Sequence, residues 1–367
     1  MFPRSLLRSP DLAMKPPAPE AESRNLDVLR AVAVLLVYFS PLLADFKQVG
    51  RVGFLATPPL GTLGVMLFFV HTCLVLLRSL DRMDGGKVVS RFYLRRAFRI
   101  YPLSIFTVAV MSLLWIPPEP RFPYLVPTVR ELVTNFLLIQ NVVPARNLAG
   151  VLWSLPWEVQ MYLVLPFLHR FLKRFPSLLT PVLLLLVTAV IRLAGTVAGI
   201  RVMTLFQFFP CFLAGAVAYR FTQVIRPRLS SQLWPLAVVS ITAIGQGALQ
   251  ALQAGDSYVK VSLAWYLASG VAGFAIPLFS DMADSWFTRG SHLIAKYSYG
   301  IYLAHVPLMW LAFVKLAFLP GYVQWACLLI TSVLVPFALY HLVEEPMIRV
   351  GRGLSTPRAV APGMARA

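Results

Sequence analysis

Four arginines in the stretch RFYLRRAFRIYP (91–102), Arg91, Arg95, Arg96 and Arg99, make the densest run of charge in the chain. Arg95 and Arg99 are four residues apart and Arg96 is three before Arg99, so a helix presents them on neighbouring faces. Guanidiniums at this spacing suit a phosphate, which they can grip bidentately. The other reading is an anchor on anionic lipid headgroups. In RNLDVLRAVAVLLVYFSPLLADF (24–46), Asp27 and Arg30 lie one helical turn apart at the mouth of an apolar run, with Pro41 eleven residues beyond Arg30. Charges entering such a run are costly and mark function more often than decoration. Pro41 frees a backbone carbonyl wherever its helix continues.

Three further groups interrupt apolar runs: His71 in GVMLFFVHTCLVLL, Glu158 in LWSLPWEVQMYLVLP and His305 in YSYGIYLAHVPLMW. Histidine titrates near neutral pH and is the usual proton acceptor for a hydroxyl. Each has a structural alternative: a packing hydrogen bond for His71, an ion pair for Glu158, an interfacial site for His305. Glu344 and Glu345 in HLVEEP read as solvated or paired with Arg349, and Arg192 as reaching outward from its run.

The elements that must position these groups are membrane helices. Of the 367 residues 58% are apolar and 13% charged, and the mean hydropathy is +0.72. Soluble domains are about 25% charged, which excludes that class here. Runs near 27–46, 60–79, 100–117, 150–169, 178–198, 203–219, 232–252, 260–280, 292–314 and 323–343 each approach the roughly 20 residues a crossing needs. The expected fold is therefore all-α and polytopic, with about ten crossings. The segment 124–142 reads as a short interfacial helix, and 1–23 and 348–367 as cytoplasmic tails around one membrane domain (24–347). No cleavable signal peptide, internal repeat or second domain is apparent. Cys73, Cys211 and Cys327 lie in apolar runs and read as core residues, with no metal site.

The net charge of +18 does not imply nucleic acid, because the positives sit in short loops between apolar runs. With the N-terminus inside, 24 of the 33 Lys and Arg fall on the inner side and nine on the outer. That asymmetry predicts both termini in the cytoplasm.

The stretches LDVLRAVAVLLVYFS (26–40), LGVMLFFVHTCLVL (63–76), FYLRRAFRIYPL (92–103), LWSLPWEVQMYLVLPF (152–167), YSYGIYLAHVPL (297–308) and VEEP (343–346), in this order, resemble the membrane acyltransferase 3 family. That family includes O-acetyltransferases of O-antigens, Nod factors and other surface glycans. The resemblance implies a multi-pass enzyme of a bacterial-type inner membrane. It would take an acyl group from cytoplasmic acyl-CoA, usually acetyl-CoA, to a hydroxyl of a glycan or lipid-linked sugar. It implies that Arg96 and Arg99, with Arg95 beside them, bind the CoA phosphates. It also aligns Trp153, Ser154 and Glu158 with a W-S-x-x-x-E stretch, and Tyr302 and His305 with a Y-L-x-H stretch.

The family pattern is broken at three places. The family's first-helix Arg is followed eleven residues on by a His read as general base; Arg30 is present, but position 41 is Pro and its neighbour is Ser40. The acid of GVDLFF is Met66, and the SG pair is Thr72-Cys73. Either His71 or His305 supplies the base, with Arg30 and Glu158 completing the catalytic set, or the chain is a catalytically impaired copy. A transporter or flippase, or a scaffold without chemistry, remains the reading from other classes; inverted repeats typical of transporters are not seen.

Overall fold

The computed structural model describes residues 23–44, 59–83, 86–119, 123–200, 206–252 and 258–355. Among these residues there is no β-strand. The helices are α1 (Arg24–Ala44), α2 (Pro59–Asp81), α3 (Val88–Leu113), α4 (Val129–Phe136), α5 (Leu155–Arg174), α6 (Leu179–Val197), α7 (Phe209–Val224), α8 (Trp234–Ala251), α9 (Tyr258–Ala275), α10 (Trp286–Trp310), α11 (Gly321–Leu339) and α12 (Glu345–Ser355). A 3-10 turn, Gly150–Ser154, leads into α5, and π-helical segments follow α10 and α11.

Local chemistry explains where these helices start. α5, α7 and α8 carry proline in their first turn, where its missing N–H costs nothing. Reciprocal capping boxes open α4 (Thr128 with Glu131) and α10 (Ser285 with Thr288). The start of α1 is capped from a distance. Asp281 accepts the Arg24 and Asn25 backbone N–H groups at 3.2 and 3.1 Å and the Ser23 hydroxyl at 2.7 Å. A carboxylate there meets orphan donors and the positive end of the helix dipole.

α2 is the central helix, packed against α1, α5, α7, α8 and α9. Two glycines permit its closest contacts. A Cβ on Gly64 would lie 2.5 Å from the Ala33 carbonyl of α1, and one on Gly215 of α7 would lie 2.3 Å from the Val70 carbonyl. Small residues at such crossings let helix backbones approach in lipid. The far ends of α2, α5 and α7 are tied by Asp81, which meets His169 at 2.9 Å, Lys173 at 3.0 Å and the Tyr219 hydroxyl at 2.6 Å. α6, α8 and α11 turn large aliphatics outward, among them Val190, Leu236 and Val333. An apolar exterior around a polar interior is the pattern of a multi-pass membrane protein.

Several sequence expectations shift. Nine helices among the described residues are long and apolar enough to cross a bilayer. The tenth expected crossing, 203–219, is represented by α7, whose 16 residues span about 24 Å. α7 is buried from Pro210 to Tyr219, so it presents little apolar surface to lipid and can be short. The run 100–117 proves to be only the later part of a helix that starts at Val88. The four arginines are thus inside α3, not ahead of it; arginine is a good helix former and the apolar count alone misses it. The expected C-terminal tail begins as helix, since α12 continues to Ser355 and packs on α3. The interfacial segment 124–142 contains α4, eight residues long. Cys73 and Cys211 are buried and free, and Cys327 is half-buried and free. The N-terminal tail call, 1–23, lies outside the described residues except for Ser23.

Candidate active site

Within the bundle lies a cavity of about 120 Å³ lined by groups from α1, α2, α3, α5 and α10. α1 contributes Arg30, α2 His71 and Thr72, α3 Arg96 and Arg99, α5 Glu158 and Tyr162, and α10 Ser298, Tyr299 and Tyr302. α1 and α2 run antiparallel, so Arg30, about 9 Å from the start of α1, lies toward the end of the bundle where α2 finishes. Ser154, at the junction into α5, lines the same cavity from the opposite end. The space is therefore elongated along the bundle, cationic at one end and hydroxylated at the other.

Each group is held by a specific contact. The Arg30 Nε donates to Ser298 Oγ at 2.8 Å, and Ser298 in turn donates to the Ala295 carbonyl. Arg99 forms an ion pair with Glu344, whose side chain is fully buried. The Arg96 Nε is buried and has no protein partner. Glu158 accepts the Tyr162 hydroxyl at 2.5 Å. The Tyr302 hydroxyl donates to the Val151 carbonyl at 2.5 Å, so Ser154 Oγ, 2.7 Å away, must donate to it. Three guanidiniums against two carboxylates leave the pocket with one excess positive charge and an orphaned donor. That arrangement suits an anionic or strongly polarised ligand.

His71 is 5% exposed, lines the cavity, and makes no side-chain hydrogen bond among the described residues. His305 is different. Its Nδ1 is 2.8 Å from the Tyr302 carbonyl, and its ring lies 6.2 Å from that of Tyr38 of α1, outside the cavity lining. Pro41 sits in the last turn of α1, three positions beyond Tyr38. Of the residues singled out from sequence, Arg30, His71, Glu158, Arg96 and Arg99 are brought together. Arg95 is not; its Nε donates to Ser355 Oγ of α12 at 2.7 Å. Asp27 faces His292 of α10 at 2.9 Å. Arg192 is buried and bonds Thr196 of its own helix, so it does not reach outward.

Sequence reasoning missed Glu344. It was expected to be solvated or paired with Arg349, but Glu345 takes that partner at 3.2 Å while Glu344 turns inward. A signal existed: only Glu345 is four residues from both His341 and Arg349, and it pairs with both. Tyr162 was also missed, although it stands at i+4 from Glu158.

A family model described as an acyltransferase domain matches residues 23–341. A protein of Acidianus two-tailed virus named "Putative acetyltransferase ORF330" is 26% identical over 174 residues, which is 47% of this chain and 50% of the viral one. The chain thus spans about half the length of the curated relative it matches. No solved structure matches the chain.

Proposed function

The chain belongs to this acyltransferase family, and from that premise we propose that it is a membrane-bound O-acyltransferase. In this reading it moves an acyl group, in the simplest case acetyl, from cytoplasmic acyl-CoA to a hydroxyl of a glycan or lipid-linked sugar. The observation that carries the reading is the internal cavity in which Arg30, Arg96 and Arg99 face His71 and Glu158. In this reading the acyl-thioester arm reaches into the cavity toward His71. The phosphates are taken by the guanidiniums of α3 at the cationic end, with the unpartnered Arg96 Nε as the first donor.

The chemistry follows from the free imidazole. His71 accepts the proton of the acceptor hydroxyl as its oxygen attacks the thioester carbonyl. Arg30, oriented by Ser298, faces the oxyanion that develops. The tetrahedral intermediate collapses, the C–S bond breaks, and the departing sulfur takes the proton from the imidazolium. The products are the acylated hydroxyl and the free CoA thiol. Glu158 balances the cationic intermediate state from across the cavity. His305 supports Tyr302 and does not touch the reacting atoms.

Binding of acetyl-CoA to the purified protein tests the donor. Arg96→Ala removes a guanidinium whose Nε has no protein partner, and affinity falls about 10- to 100-fold, the value of one charge-assisted contact, with the unfolding midpoint in detergent measured alongside. A flippase or scaffold has no reason to bind acyl-CoA. Absence of binding in the wild-type protein would sink the reading.

A further inference from the structure

An aromatic cluster stands where α10 meets the π-helical segment Tyr340–Glu344 that follows α11. Before that segment α11 turns Val333, Leu334 and Phe337 outward, which makes an apolar face for lipid. At Tyr340 the face changes character. The ring of Tyr297 of α10 lies 5.8 Å from that of Phe337 and 5.3 Å from that of Tyr340. His341 packs on Phe337 at 4.5 Å, and its Nε2 is 3.3 Å from the Tyr297 hydroxyl. Leu342 is 77% exposed, so the segment remains on the outer surface of the bundle. An apolar face that gives way to tyrosines marks the boundary between hydrocarbon and headgroups, here at the end of the bundle expected in the cytoplasm. Single π-helical turns inside longer helices often mark functional sites.

Lys296 is held within this cluster. Its Nζ lies 4.8 Å from the Tyr340 ring centroid and 5.3 Å from that of Tyr297, so two rings flank the ammonium. Such contacts fix the charge in place without neutralising it. The two acids of the turn are engaged elsewhere. Glu345 is held by His341 at 3.1 Å and by Arg349 at 3.2 Å, while Glu344 turns inward to Arg99. Lys296 therefore forms no ion pair among the described residues. A fixed, uncompensated cation at the edge of the hydrocarbon is costly and points to a bound anion.

We propose that this cluster binds the headgroup phosphate of an anionic glycerophospholipid from the adjoining leaflet. Lys296 supplies the charge at the phosphate. Arg349, whose side chain is 69% exposed, adds a second cation on the flank that His341 and Glu345 share, and only one carboxylate opposes the two. The exposed row of Val333, Leu334 and Phe337 leads into the site and receives the acyl chain, which a soluble anion does not have. Basic pockets between membrane helices on the cytoplasmic side suit such headgroups. A zwitterionic headgroup brings its own cation and gains less from Lys296. The proposal does not rest on the O-acyltransferase reading.

The test uses the full-length protein in detergent micelles doped with phosphatidylglycerol and phosphatidylcholine of matched chains. Bound lipid is counted by native mass spectrometry, with the unfolding midpoint of each variant recorded. Phosphatidylglycerol is retained in preference to phosphatidylcholine. Lys296→Gln keeps most of the stem and lowers phosphatidylglycerol affinity about tenfold, the scale of one charge-assisted contact. Lys296→Arg keeps the charge and retains the lipid, which separates loss of binding from loss of fold. Lys260→Gln, in the first turn of α9 at the opposite end of the bundle, leaves retention unchanged. Equal retention of the two lipids, unchanged affinity in Lys296→Gln, or an equal loss in Lys260→Gln or in Lys296→Arg would overturn the proposal. So would displacement of the lipid by inorganic phosphate or glycerol 3-phosphate, because the site would then take a soluble anion.

Discussion

Replacing His71 with Ala lowers acyl transfer by about 10²–10⁴-fold while acetyl-CoA binding persists, which is the usual worth of a positioned general base. The effect is expected in kcat because the imidazole acts on the acceptor proton and does not hold the donor. Three observations single out this residue. Its ring lines the cavity that holds Arg30, Arg96, Arg99 and Glu158. No hydrogen bond among the described residues occupies its nitrogens, whereas the Nδ1 of His305 is committed to the Tyr302 carbonyl. α2, which carries it, is the central helix, so the ring position is fixed by neighbours on several sides. His71→Gln separates chemistry from packing: it preserves much of the volume, so retained stability with lost turnover marks the base. Wild-type turnover in His71→Ala would end the assignment. The impaired-copy alternative has its own signature. Position 41 lies on the same α1 face as Arg30 and Tyr38, so Pro41→His would raise transfer sharply if that helix lacks its base, and produces no gain if His71 already serves.

Replacing Glu344 with Ala destabilises the fold by about 3 kcal/mol, read as a lowered unfolding midpoint in detergent. The carboxylate is fully buried and pairs with Arg99, which is partly exposed toward the cavity. Removing it leaves the Arg99 guanidinium unpaired beside those of Arg30 and Arg96, and that uncompensated charge is the source of the loss. The lower end of the range for broken buried pairs applies because Arg99 keeps some access to solvent. The double variant Arg99→Met, Glu344→Leu removes both charges, and most of the stability returns, since a well-packed apolar pair is commonly no worse than a buried ion pair. The same double variant loses acetyl-CoA affinity if Arg99 holds the donor, and a purely structural pair predicts full stability with unchanged binding. The pair also ties α3 to the π-helical segment before α12, so its loss loosens the cationic end of the cavity.

Much of this site is legible in the chain before it folds. A histidine, a glutamate and clustered arginines inside apolar runs are costly, so their presence alone marks His71, Glu158, Arg30, Arg96 and Arg99, and those five line one cavity. Where the local reading misleads, the partner is distant in sequence. Arg95 has the right spacing with Arg99 yet turns to Ser355, 260 positions away. Glu344 looks like its neighbour Glu345 yet finds Arg99, 245 positions away. Arg192 reads as a residue that should reach outward, but it is 3% exposed.

What the sequence determines by itself is composition and period. Apolar runs of sufficient length compel membrane helices, because backbone groups in hydrocarbon must be satisfied within their own segment. The ordered motifs carry the family, and the charge asymmetry between loops carries the expected orientation. What only the tertiary structure decides is which helix faces meet. Gly64 and Gly215 let α1 and α7 close on α2, and that packing brings His71 to the guanidiniums of α1 and α3. It also gathers Gln140, Asn141 and Trp265 around a second cavity. Helical periodicity relates only residues three or four apart, whereas these constellations join positions separated by scores of residues.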